Sequence, residues 1–84
     1  MATIEVSPVT RIFMLGTMAH NHVDSSKYHL RRYQKATKAM ETPQQYRTAV
    51  EAIKEAKAEL DQAVGNWETI EEILRLNPDL QEQA

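Results

Sequence analysis

The sequence lacks cysteine and contains few turn-forming residues, with two Gly and three Pro among 84 residues. The absence of cysteine excludes disulfide frameworks, thiolate metal sites and thiol catalysis. So little Gly and Pro argues against a turn-rich β fold and favours long regular elements. A chain of this length also has a thin core, because a small domain buries only ~60–65% of its unfolded surface.

The sequence also lacks a long hydrophobic run. The apolar stretch over residues 12–19 is interrupted by Gly16 and Thr17, and it is too short for a bilayer span of ~20 apolar residues. A secretory signal would begin with basic residues, whereas the first charged residue here is Glu5. We therefore expect a soluble cytoplasmic protein, or a virion component if a phage encodes it, with no membrane partner.

The second half of the chain carries a heptad pattern. Apolar residues recur at alternating steps of four and three from residue 49 to residue 74, which is typical of a long helix packed on another helix. The members of this seam are Ala49, Ile53, Ala56, Leu60, Ala63, Trp67, Ile70 and Leu74. We expect Trp67 to be buried in it, so that Trp67→Ala would cost about 3–5 kcal/mol.

The first half carries a second seam with the same steps, running from Val9 to Met40. Ser7 is a predicted N-cap, and Pro8 suits the first helical position because its missing N–H has no partner to lose there. Residues 21–26 are weak helix formers. The first helix is therefore expected to be continuous, kinked or broken at that point.

The second helix is predicted to begin at Thr42-Pro43 and to end at Asn77-Pro78. We predict an all-α fold, an antiparallel helical hairpin of coiled-coil type with helices over roughly 8–41 and 43–77. An extended arm over residues 1–7 would precede this domain, which spans residues 8–77, and a polar tail over residues 78–84 would follow it. The predicted core consists of Ile12, Ala19, Leu30, Tyr33, Ile53, Leu60, Trp67, Ile70 and Leu74.

A further apolar stripe lies beside the seams and would remain exposed on a lone hairpin. Its members are Phe13, Met14, Tyr46, Val50, Val64 and Ile73. Such a surface favours self-association into a multi-helix bundle, or docking on another protein. If the first helix breaks near residues 21–26, a three-helix arrangement would cover part of the stripe internally.

The net charge of −2 conceals an uneven distribution. Residues 1–40 carry six Lys/Arg against two acids, and residues 41–84 carry four against ten. The hairpin would therefore have one positive and one negative tip, which favours antiparallel self-association or an acidic partner.

The basic stretch over residues 27–38 contains no acid, and its cations are expected to contact nucleic acid or an acidic partner. These cations are Lys27, Arg31, Arg32, Lys35 and Lys38. The other interpretation of this stretch is a solvated face that pairs with Glu51 and Glu55.

No arrangement of residues indicates catalysis or a cofactor. His20 and His22 point about 200° apart on a helix, so they do not share a metal ion. Glu68, Glu71 and Glu72 share one face but lack a nucleophile or base beside them, so we interpret them as a solvated acidic surface.

We predict a non-enzymatic protein–protein interaction protein: an adaptor, an inhibitor or an assembly component, in the size class of phage accessory and virion proteins. The alternative is a nucleic-acid-associated helical protein that uses residues 27–38.

Overall fold

The protein folds as a hairpin of two long helices. The computed structural model describes residues 7–39 and 41–82, which form α1 (Pro8–Thr37), α2 (Pro43–Leu76) and a short α3 (Pro78–Glu82). Helices α1 and α2 pack against each other, and the described residues contain no strand. This confirms the predicted all-α hairpin. Residues 1–6 of the predicted arm lie outside the described residues.

Helix α1 begins where the sequence predicts. The Ser7 Oγ accepts a hydrogen bond from the Thr10 N–H at 3.2 Å, and Pro8 occupies the first turn. The helix runs without a break through residues 21–26. Within that segment the Ser26 hydroxyl is buried and donates to the Val23 carbonyl oxygen at 2.6 Å, so it does not compete with the helix by forming a cap. Helix α1 ends at Thr37, earlier than the predicted residue 41.

Helix α2 has a complete capping box at its N-terminus. The Gln45 N–H donates to the Thr42 Oγ1 at 3.3 Å, and the Thr42 N–H donates to the Gln45 Oε1 at 3.0 Å, which satisfies two backbone donors that the helix cannot. The helix continues through Gly65 and ends before Pro78. Its C-cap is Asn77, as predicted, and the Asn77 Nδ2 donates to the Ile73 carbonyl oxygen at 2.8 Å. The predicted polar tail begins with α3.

The two long helices meet through small side chains. Six of the eight apolar residues that are buried in the described part of the chain are alanines, which allows the helix backbones to approach closely. The buried set is Ala19, Ala36, Ala49, Ala52, Ala56, Ala63, Ile70 and Ile73, together with Ser26. The result is a single layer of helices with extents of 58 × 34 × 14 Å. No helix among the described residues is long and apolar enough to cross a membrane.

The orientation of α2 differs from the prediction. Ile53, Leu60 and Trp67 were predicted core residues, but they are 42%, 40% and 49% exposed. The contact instead uses the preceding positions, of which Ala52 and Ile73 are buried and Glu59 and Asn66 are partly buried. Because successive helical residues are about 100° apart, this change corresponds to a rotation of the seam by roughly 50°. The physical reason is close packing, since alanine at the contact brings the backbones together and leaves the larger side chains at its edge.

The remaining predicted core residues do face the helix contact. Ala19 and Ile70 are buried. Ile12, Leu30, Tyr33 and Leu74 are partly buried. The core prediction therefore agrees with the structure for these six residues, and it was wrong for Ile53, Leu60 and Trp67.

Candidate interaction surface

The hairpin buries mainly small apolar residues and exposes most of its large ones. Among the described residues, Ile70 and Ile73 are the large apolar side chains that are buried, at 4% and 5% exposure. Most of the exposed large side chains lie on one side of the helical layer, a surface that we call the apolar face. Its members are between 40% and 74% exposed: Val9, Phe13, Tyr46, Val50, Ile53, Leu60, Val64 and Trp67.

Helical geometry places these residues on the same side. The Arg32 guanidinium donates to the Glu55 carboxylate at 2.7 Å, so these two residues define one flank of the contact between α1 and α2. Ile53 and Leu60 follow the contact positions Ala52 and Glu59 by one residue, which turns them about 100° toward the opposite flank. On α1, the partly buried Leu30 follows His29 in the same way. The apolar side chains of both helices therefore share the flank away from Arg32 and Glu55.

The opposite flank carries polar contacts between the middle of the hairpin and the turn. Besides the Arg32–Glu55 pair, the His29 Nδ1 lies 3.0 Å from the Glu55 Oε2. Nearer the middle of the contact, the His22 Nδ1 lies 2.7 Å from the Glu59 Oε2, and both side chains are partly buried. These contacts give the hairpin a defined register, because sliding one helix along the other would separate each pair.

The predicted partner-binding stripe is divided between three locations. Phe13, Tyr46, Val50 and Val64 belong to the apolar face. Met14 lies on the other flank, where it lines a shallow cavity with Arg11, Leu15, Met18 and Thr69. Ile73 is 5% exposed and belongs to the helix contact, so its assignment to a partner-binding surface was wrong for the hairpin.

Sequence reasoning missed four members of the apolar face: Val9, Ile53, Leu60 and Trp67. The last three were placed in the core because the largest apolar residues were assumed to fill the seam. The signal that identifies the actual contact is the run of alanines, since Ala49, Ala52, Ala56 and Ala63 keep heptad spacing in the sequence. The two possible seams share three of these alanines, and Ala52 distinguishes them.

The predicted basic stretch divides into paired and unpaired cations. Arg32 is bonded to Glu55, as the interpretation of a solvated, paired face predicted, and Lys27 lies 3.7 Å from Asp24. Arg31, Lys35 and Lys38 are exposed on the outer surface of α1. None of these three has an acidic partner within the part of the chain that the structure describes.

The acidic residues near the end of α2 are exposed. The Arg75 Nε donates to the Glu72 Oε2 at 2.9 Å, and the Arg75 Nη2 donates to the Glu72 Oε1. Hydrogen bonding to Arg75 lowers the pKa of Glu72 below its ordinary value and raises that of Arg75. Glu68, Glu71 and Glu72 line an open cavity with Leu74 and Arg75. Neither these carboxylates nor any other His, Asp or Glu side chains of the described residues form a group of three placed to hold one metal ion.

A charged side chain, that of Lys57, interrupts the apolar face on α2. Lys57 lies between Ile53 and Leu60 along the chain, and its Nζ donates to the Asp61 Oδ2 at 2.8 Å. This hydrogen bond raises the pKa of Lys57. The bond draws the ammonium group toward Asp61, so the aliphatic stem of Lys57 can border the apolar face.

Comparisons with protein families, curated proteins and solved structures found no match for this chain.

Proposed function

We propose that this chain is a small non-enzymatic interaction protein of the adaptor, inhibitor or assembly-component type, which binds its partner through the apolar face. The observation that carries the proposal is the inverted distribution of side chains, with alanines inside and Ile53, Leu60 and Trp67 outside. Soluble monomers rarely expose contiguous apolar patches this large, and such patches mark interaction surfaces. Aromatic residues such as Trp67 are also typical interface anchors.

Site-specific photo-crosslinking tests this function. A photoreactive phenylalanine analogue in place of Leu60 should form adducts with a protein partner in cells that express the chain. The matched control carries the same analogue in place of Ala58, which is exposed on α2 but lies on the opposite flank. Equal adduct formation at both positions, or none at either, would contradict an interaction through the apolar face.

A second candidate function is nucleic-acid binding. It is favoured by the three cations of α1 that lack a described acidic partner, Arg31, Lys35 and Lys38, with the exposed Tyr28 on the same helix. Cations along one helix can follow a phosphate backbone, and an exposed aromatic ring can stack on a base. The acidic isoelectric point, near 5.9, opposes long-range attraction to nucleic acid.

Fluorescence anisotropy with labelled DNA and RNA distinguishes this candidate. Binding should weaken steeply with salt, by a log–log slope of about 0.9 for each phosphate contact on duplex DNA. The Arg31→Glu/Lys35→Glu variant should abolish binding, whereas Arg47→Glu/Lys54→Glu on α2, which changes the net charge equally, should retain most of it. No binding at low salt would eliminate nucleic acid as a ligand.

A further inference from the structure

We propose that the apolar face binds a second copy of this chain, with α2 antiparallel to α2 of that copy and the two-fold axis beside Leu60. The inference rests on the proposed interaction function and identifies the partner. It follows from the area of the face, the spacing of its residues along both helices, and the distribution of charge.

The area of the apolar face matches what a stable dimer needs. A large aromatic side chain has a surface area of ~150–250 Å² in total, so a large side chain that is half exposed leaves roughly 100 Å² accessible to solvent. The eight members of the face therefore present roughly 800 Å², which is the ~800 Å² per partner of a standard interface. Stacking two such layers face to face converts a hairpin 14 Å thick into a four-helix bundle.

The spacing of the residues on α2 is symmetric about Leu60. Tyr46, Ile53, Leu60, Trp67 and Leu74 follow one another at intervals of seven, and Leu60 lies at the middle of Pro43–Leu76. A two-fold rotation at Leu60 brings Leu60 against its own copy. It also places Ile53 opposite Trp67 and Tyr46 opposite Leu74. Each of these five positions meets an apolar residue of the other copy, and the pairing is self-complementary, as an isologous interface requires.

Helix α1 has a matching symmetry at the same height. The contact between His22 and Glu59 places Val23 close to the level of Leu60. Rotation about a two-fold axis at that level brings Val23 against its own copy and places Gly16 opposite Leu30, so that a residue without a side chain faces a large one. The same axis therefore suits both helices of the hairpin.

The charge distribution selects the antiparallel arrangement. Residues 24–60, the half that contains the turn, carry eight Lys/Arg and five Asp/Glu. Residues 7–23 and 61–82, the half with the open ends, carry two Lys/Arg and six Asp/Glu. An antiparallel dimer places the positive half of each copy on the negative half of the other, whereas a parallel dimer would superimpose like charges.

Disulfide mapping tests both the partner and the orientation, since the chain has no cysteine of its own. Leu60→Cys should form a disulfide-linked dimer on mild oxidation. Ile53→Cys alone should not, because its two copies would lie about 21 Å apart along the helix, beyond the ~7 Å that a disulfide spans between Cα atoms. A mixture of Ile53→Cys and Trp67→Cys should crosslink, and Ala58→Cys is the control that should not.

Sedimentation equilibrium supplies an independent measurement. The unmodified chain should approach twice 9.6 kDa as its concentration rises. Leu60→Glu should raise the dissociation constant at least about a hundredfold, with the helical circular dichroism retained because Leu60 is exposed in the hairpin. A chain that stays monomeric, or a disulfide between two copies of Ile53→Cys, would overturn the proposal.

The two proposals fail in different ways. If the chain is monomeric but the photoreactive analogue at Leu60 still captures a different protein, the interaction function stands and the self-association is wrong. If the chain is monomeric and that position captures nothing, both proposals fail. If the adduct has the mass of two copies of this chain, both are supported.

Discussion

Two isoleucines of α2 provide a direct test of how this helix is oriented in the hairpin. Ile73 is 5% exposed and Ile53 is 42% exposed, although both are isoleucines of the same helix and both lose the same three carbon atoms on replacement by alanine. At ~0.8 kcal/mol for each buried methylene, full burial is worth about 2.4 kcal/mol, and the cavity left behind raises the cost further. We expect Ile73→Ala to lower the free energy of unfolding by about 3–4 kcal/mol.

Ile53→Ala should cost much less in the isolated hairpin. Its side chain is only a little more than half buried, and water fills the space that the substitution opens, so no cavity forms. The expected loss is about 1–1.5 kcal/mol. Both substitutions should be measured by urea unfolding in the Leu60→Glu background, where association is suppressed, with far-ultraviolet circular dichroism and Trp67 fluorescence as two probes.

The same two substitutions, made in the chain that retains Leu60, give a second result. As the protein concentration rises and a second copy covers Ile53, the cost of Ile53→Ala should increase, while that of Ile73→Ala should change little. The reasoning would be refuted if Ile53→Ala cost 3 kcal/mol or more in the monomeric background and Ile73→Ala cost less than half as much. That result would place Ile53 in the helix contact, as the heptad of large residues predicts.

Three further substitutions test local features of α2. Gly65→Ala should stabilise the protein by about 1 kcal/mol and raise its melting temperature, because a Cβ at Gly65 meets no atom within 4 Å and alanine is the better helix former; a decrease would show that Gly65 has a packing role. Asn66→Ala should leave the stability unchanged or raise it by about 1 kcal/mol, since the buried Asn66 Nδ2 has no hydrogen-bond partner among the described residues and an unsatisfied buried donor is costly; a marked loss in denaturant unfolding would reveal a partner. Arg75→Gln should return the pKa of Glu72 toward its ordinary value, which carboxyl-carbon NMR titration measures. Because the folded-state pKa of Glu72 is lowered, the contribution of this pair is present above the ordinary pKa of 4.5 and disappears as the pH falls through the lowered value; an unchanged titration of Glu72 would contradict the assignment.

The fold was predictable because local signals and the hydrophobic period agree. Ser7 and Thr42 cap their helices as their residue types predict, and the proline after Asn77 ends α2. The continuity of α1 through residues 21–26 was not decidable from propensity, since Asn, Asp and Ser are weak helix formers. Tertiary packing decided it, because Ser26 lies in the contact with α2.

The candidate site was only partly predictable. An alternation of three and four residues can be continued from Ala49 through either Ala52 or Ile53, and both series include Ala56. Hydrophobicity favours the large side chain, whereas close approach of two backbones favours the small one. The sequence does not show which of these two series the helix backbones bring into contact, and this is why Ile53, Leu60 and Trp67, predicted to lie in the core of the hairpin, form part of the apolar face instead.

The capping box at Thr42 also bears on the kinetics of folding. It fixes the turn between α1 and α2, and the contacts closest to it join residues separated by the shortest loops, such as Arg32 and Glu55. The entropic cost of closing a loop increases with the length of chain between the two residues that meet. We therefore expect the contacts between α1 and α2 to form first near the turn and last at the open ends. The last contacts to form and the first to fray would then involve Ile70 and Ile73. Low contact order of this kind is associated with folding in microseconds to milliseconds, which would make assembly of the proposed dimer, and not formation of the hairpin, the slow step.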